Sequence, residues 1–164
     1  MIVISDASPL IVLAKLHRVN LLNLLSPQVI ISAQVRDEIV TRGHARAGAN
    51  EVAEACWITV RALQDSSSLV EAAAEFRLGL GEMSTILLGK ELNADLLLID
   101  EWKARRVSAA FNLPVVGCVG LLERLYLSGH IDDFRSALVD LARFSYLDVE
   151  LLNARLVALG FEPL

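Results

Sequence analysis

Four carboxylates in this 164-residue chain occupy positions where they could do chemistry together: Asp6, Glu38, Glu82 and Asp100. Asp6 ends the β-branched run Ile2–Ser5, and Asp100 ends the apolar run Leu96–Ile99. Such runs read as strands buried on both faces, and in an open parallel sheet ligands bind beyond the carboxyl ends of the strands. An aspartate there can simply cap the next helix. Ser8, followed by Pro9, already offers that cap to the first helix, so Asp6 is left without the task. Glu38 lies nearly two turns beyond Ser32, the expected cap of a helix over 32–41, and beside Val35 and Ile39 at the edge of its apolar face. The bland alternative is a solvated boundary glutamate. Glu82 opens a helix after Leu78-Gly79-Leu80-Gly81, where the helix dipole alone would stabilise it by roughly 0.3–1 kcal/mol. Its own face continues through Thr85, Ile86 and Gly89, which suits packing against another element.

Four acids at one locus repel, so the fold needs a compensating charge or raised pKa values. A divalent cation is the natural compensation. Oxygen donors without imidazole or thiolate suit Mg²⁺ or Mn²⁺ over zinc. Such a centre activates water and neutralises charge on a phosphodiester. His17, His44 and His130 lack ligand spacing, and Cys56 and Cys118 form no CxxC pair, which argues against a zinc site or a disulfide scaffold.

The elements that would position these acids alternate in kind. Short strands are expected over 2–5, 29–31, 57–60, 96–99 and 115–116. Helices are expected from Ser8 through Leu16, over 32–41, 49–55, 69–77, 81–93 and 101–111, and then over 119–127, 132–144 and 148–159. The helix over 69–77 should close at Gly79, and residues 43–50 read as a basic surface loop or a helix start. This grammar predicts a three-layer α/β/α sandwich with a mainly parallel sheet of about five strands and a helical C-terminal cap. The length suits one domain over 1–164. The composition, 54% hydrophobic and 21% charged, excludes disorder. With 15 basic against 20 acidic residues the net charge is −5, which disfavours a generic phosphate-coating surface but leaves room for local basic patches. A mean hydropathy of +0.50 leaves apolar surplus for a partner-facing surface. The start lacks a basic n-region and no apolar run approaches the roughly 20 residues of a membrane span, so a cytoplasmic protein is expected.

The run Val3-Ile4-Ser5-Asp6-Ala7-Ser8-Pro9-Leu10-Ile11 resembles the opening of PIN domains, the nuclease fold of VapC-type toxins. Leu78-Gly79-Leu80-Gly81-Glu82, Leu98-Ile99-Asp100-Glu101, Arg105-Arg106-Val107 and the turn Gly117-Cys118-Val119-Gly120 are similar to a PIN-like subgroup described as nucleic-acid-binding proteins. The resemblance spans nearly the whole chain. It implies a metal-dependent endoribonuclease, the toxin of a toxin–antitoxin pair, with Asp6, Glu38, Glu82 and Asp100 on the family's acidic positions and Ser8 on the small hydroxyl that supports the first aspartate. It also implies Mg²⁺ or Mn²⁺, an RNA substrate, a homodimer and an inhibitory antitoxin. Glu101 is an auxiliary ligand candidate. Glu82 stands where many members carry aspartate, and Leu98 where many carry serine or threonine. Those departures motivate a rival: a catalytically weak or inactive PIN-like protein that binds nucleic acid or another protein.

Basic residues flank two of the acids. Lys103, Arg105 and Arg106 follow Asp100, with Arg105 and Arg106 the favoured pair for RNA phosphates, and Arg36, Arg42, His44 and Arg46 surround Glu38. Their ordinary role would be solvated helix faces. Trp102 is placed to pack or to stack a base. A phospho-receiver domain also gathers acids at strand ends, but Val115-Val116-Gly117 lacks the late-strand lysine that receivers need.

Overall fold

The structure, a computed structural model, describes residues 1–43 and 48–164. His44 and Arg46, expected in a basic loop, lie outside the described residues. The chain divides into two compact units, Met1–Cys118 and Val119–Leu164.

The first unit is built on five strands: β1 (Val3–Ser5), β2 (Val29–Ser32), β3 (Ile58–Arg61), β4 (Leu96–Leu98) and β5 (Val115–Val116). All pair in parallel, in the order β3-β2-β1-β4-β5, as the apolar runs predict. Parallel neighbours require crossovers, and these are α1 (Ala7–Lys15) and α2 (Leu21–Leu25) after β1, α3 (Ala33–Arg36) and α4 (Ala49–Glu54) after β2, α5 (Leu69–Phe76) and α6 (Leu80–Glu91) after β3, and α7 (Trp102–Ala110) after β4. Every residue of β1, β2 and β4 is buried, while the edge strand β3 is partly exposed. Ile4, Ile30 and Leu97 of the sheet and Ile99 just past β4 pack with Met83 and Ile86 of α6 and Ala104 of α7 in one apolar core. Gly89 allows α6 to lie close on β4, since a Cβ there would stand 2.8 Å from Leu97 Cδ2.

Three expectations are corrected. The first helix starts at Ala7 with Asp6, not Ser8, in the capping position, because Pro9 is tolerated anywhere in a first turn whose N–H groups have no helical partner. The helix over 32–41 is α-helical only to Arg36, then widens into a π-helical segment, Asp37–Thr41, in which the Arg42 N–H donates to the Asp37 carbonyl at 2.9 Å. The α5–α6 turn is made by Arg77 in the left-handed conformation (φ 53°), while Gly79 stands in extended backbone as the cap of α6. The cap at Ser32 is where the sequence places it: its Oγ accepts from the Val35 N–H at 3.0 Å.

The second unit contains most of α8 (Cys118–Leu127), with α9 (Phe134–Ala142) and α10 (Val149–Ala158). Tyr126, Phe134 and Phe161 form its aromatic cluster, with ring centroids 5.5–6.2 Å apart. Asp133 and Asp148 cap α9 and α10. Among the described residues no helix is long and apolar enough to cross a membrane.

Candidate active site

The strand order fixes where a site can form. From the central β1 the chain runs to β2 and β3 on one side, then crosses to β4 and β5 on the other, so the topological switch lies between β1 and β4. Ser5 pairs with Leu98, which brings Asp6 and Asp100 to the carboxyl ends of these two strands. The Asp6 N–H donates to the Leu98 carbonyl at 2.9 Å and extends the pairing by one residue. The Leu98 side chain is itself buried in the core.

Asp6 is only 2% exposed, and although it occupies the capping position of α1 its side chain makes no capping hydrogen bond. Its Oδ1 is buried with no hydrogen-bond partner among the described residues. Burial pushes the Asp6 pKa up to about 7, from an ordinary value near 3.8; the Ala7 N–H opposes the rise, and the charges of Glu82, Glu38 and Asp100 add to it. All three other predicted acids are therefore within electrostatic reach of Asp6.

Glu38 arrives from the π-helical segment, whose extra residue per turn changes the direction in which its side chain leaves the helix. Its Oε2 comes so close to Gly81 that a Cβ there would stand 2.7 Å away, and the same Cβ would be 3.7 Å from Asp6 Oδ1. Partial burial raises the Glu38 pKa, Glu82 raises it further, and Arg42 lowers it. Two buried hydroxyls support the α6 backbone beneath: Ser84 and Thr85 both donate to the Gly81 carbonyl, at 2.7 and 2.9 Å. Ser84 also bonds Ser32 at 2.6 Å, which ties α6 to the end of β2. A cleft of about 550 Å³ opens beside Glu38, lined by Gln34, Asp37, Arg42, Leu80 and Gly81 among others.

Glu82 and Asp100 have local partners. Glu82 Oε2 accepts from the Gly79 N–H at 2.8 Å, so part of its role is to cap its own helix. Asp100 accepts two bonds from Cys118, from the N–H to Oδ1 at 2.6 Å and from the thiol to Oδ2 at 3.0 Å. Burial, then the neighbouring Asp100, pushes the Cys118 thiol well above its ordinary value, so it is held protonated. No three of the described His, Cys, Asp and Glu side chains stand together as a ready-made metal cage. The chemistry of the donors nevertheless fits a hard cation: the groups in electrostatic reach of Asp6 are carboxylates, its Oδ1 is buried and unshared, and burial drives Asp6 and Glu38 toward their neutral forms, with Arg42 opposing the rise only at Glu38.

The remaining candidates separate. Ser8 is exposed in the first turn of α1 and does not reach Asp6 Oδ1. Glu101 caps α7, accepting from the Ala104 N–H at 2.6 Å. Lys103 donates to the Arg77 carbonyl at 3.0 Å. Arg105 and Arg106, adjacent in one helix, diverge as their 100° separation requires: Arg105 reaches toward Gly117, and the Arg106 guanidinium lies 4.9 Å from the centre of the Trp102 ring. Arg42 pairs with Asp37 at 2.8 Å. Cys118 and the close-approach role of Gly81 are not read from sequence. A glycine flanking an acid in a helix start is a signal for the second; the first is visible only in the packing.

The sequence matches the PIN domain family model DUF3368 over residues 2–160. The chain belongs to the PIN-domain family. Its parallel sheet flanked by helices is the PIN-like α/β/α fold, and PIN domains are generally nucleases. No curated protein matches the sequence.

Proposed function

We propose that this PIN domain is a Mg²⁺- or Mn²⁺-dependent endoribonuclease, the toxin of a cytoplasmic toxin–antitoxin pair. The observation that carries the proposal is the buried, unshared Oδ1 of Asp6 at the sheet's switch point, with three further carboxylates in electrostatic reach. Asp6, Glu38 and Asp100 would hold the ion, with Glu82 completing the cluster or orienting water. When bound, the ion supplies charge neutralisation on the phosphodiester and an activated water nucleophile. Asp6 must give up its proton for this, and the deprotonated form becomes the stable one once a counter-charge is present. No covalent intermediate on the protein is needed.

RNA would enter along the cleft beside Glu38, where the acids meet the open surface. Lys103, Arg105 and Arg106 would contact backbone phosphates, and Trp102, 66% exposed with Arg106 over its ring, offers a stacking face for a base. Exposed apolar residues of α10, among them Val149, Leu151 and Val157, support a homodimer or antitoxin surface.

A second reading has its own support. Glu82 and Asp100 are occupied by helix and loop hydrogen bonds, as they would be in a binding module that has lost catalysis. Cleavage of a mixed RNA substrate separates the two. Under the proposal wild type cuts only with Mg²⁺ or Mn²⁺ and Asp6→Asn does not cut; RNA binding without cleavage by wild type selects the binding module.

A further inference from the structure

We propose that Cys118 is a positioning residue for Asp100, setting the orientation in which that carboxylate joins the acidic centre. The inference rests on the nuclease reading above, since it concerns what Asp100 is oriented for.

Asp100 lies two residues past β4, in the short connection before α7, where the backbone alone does not restrict its side chain. Cys118 restricts it twice. Its N–H holds Oδ1 at 2.6 Å and its thiol holds Oδ2 at 3.0 Å, so both oxygens of one planar group are gripped by one residue and neither translation nor rotation about the Cβ–Cγ bond is left free. The two loops are registered by the sheet beneath them: Leu98 pairs with Val116, and the Ile99 N–H donates to the Val116 carbonyl at 3.0 Å. Gly117 makes the grip possible, because a Cβ at that position would stand 2.9 Å from Asp100 Oδ1. Each carboxylate oxygen has two acceptor sites, so one on each remains for other partners. The thiol is buried, while the carboxylate it holds is half-buried and keeps a side open to the centre. A cysteine present only as a small core residue would satisfy packing without both bonds converging on one acid.

The test compares wild type with Cys118→Ala, Cys118→Ser, Gly117→Ala and Asp100→Asn by calorimetric titration of Mn²⁺ alone, with RNA cleavage in parallel and circular dichroism as a check on folding. Loss of a side chain that orients a ligand is expected to weaken Mn²⁺ binding roughly 10- to 100-fold in Cys118→Ala. Cys118→Ser, whose hydroxyl can make the same bond, should bind Mn²⁺ close to wild type. A pure packing role predicts the reverse order, with alanine the milder change in an apolar surrounding. Gly117→Ala should reproduce the loss by displacing the carboxylate, and it decides the matter if Cys118→Ala does not fold. Wild-type Mn²⁺ binding by folded Cys118→Ala or Gly117→Ala, or serine no better than alanine, would overturn the proposal while leaving the nuclease reading intact. Wild-type binding by Asp100→Asn would overturn the nuclease centre itself and this role with it.

Discussion

Glu38 Oε2 rests where a side chain at residue 81 would begin: a methyl group on Gly81 would stand 2.7 Å from it. The obstacle is the end of a flexible side chain and not backbone, so Gly81→Ala should fold, and replacing glycine by alanine inside a helix favours the helix by roughly 0.5–1 kcal/mol. Glu38 has to move aside. Thermal melting is expected to be unchanged or slightly higher, while RNA cleavage falls. Unimpaired cleavage would show that Glu38 is not needed in its present place.

The buried Asp6 makes stability depend on pH in a definite direction. With a pKa of about 7 in the folded protein and 3.8 ordinarily, the native state binds more protons than the unfolded state between these values, so stability falls as pH rises across that window. The full effect above pH 7 is about 4 kcal/mol as an upper limit. Asp6→Asn carries no charge to bury, and asparagine is a good helix cap, so metal-free Asp6→Asn should melt above wild type at pH 8 and close to it at pH 4. Parallel denaturation curves for the two proteins across this range would remove the burial argument.

A cation reverses that penalty. Mg²⁺ or Mn²⁺ should raise the melting temperature of wild type, more at pH 8 than at pH 5, because the ion competes with the proton on Asp6. At a hundredfold excess over its Kd the gain is about 2.7 kcal/mol. Asp6→Asn and Asp100→Asn should blunt the shift. The absence of any shift at millimolar metal would count against the centre.

On the basic side, Trp102→Ala should weaken binding of single-stranded RNA by about 1–3 kcal/mol with little change in salt dependence, as for loss of one stacked base. Arg105→Gln should instead flatten the salt dependence, as for loss of one phosphate contact. Fluorescence anisotropy over a salt series distinguishes the two, and equal affinity in all three proteins would move the RNA path elsewhere.

Much of the frame was legible in sequence because burial on both faces leaves no choice of residue type. Val3-Ile4-Ser5 and Leu96-Leu97-Leu98 are strands for that reason, and the acids that end them are placed by the sheet. Helix starts were less legible: Ser8-Pro9 offers one cap and Asp6 another, and a first turn accepts either. The five-residue helix Leu21–Leu25 has no side-chain cap and too little length for a periodic stripe. The widening at Asp37–Thr41 leaves no trace in the apolar spacing, since Val35 and Ile39 are buried either way. The Glu82 contact with Gly79 is local helix capping, whereas Cys118 lies 18 residues from Asp100 and reaches it only through the pairing of β4 with β5, which spacing in the sequence does not encode.

The most direct measurement of the central claim is anomalous scattering from crystals soaked in Mn²⁺. A peak bonded to Asp6 Oδ1 at about 2.1 Å, with Glu38 beside it and Asp100 facing it while still held by Cys118, is the predicted result. Ordered Asp6 with no manganese beside it, in crystals where the cleft is open to solvent, would contradict the account.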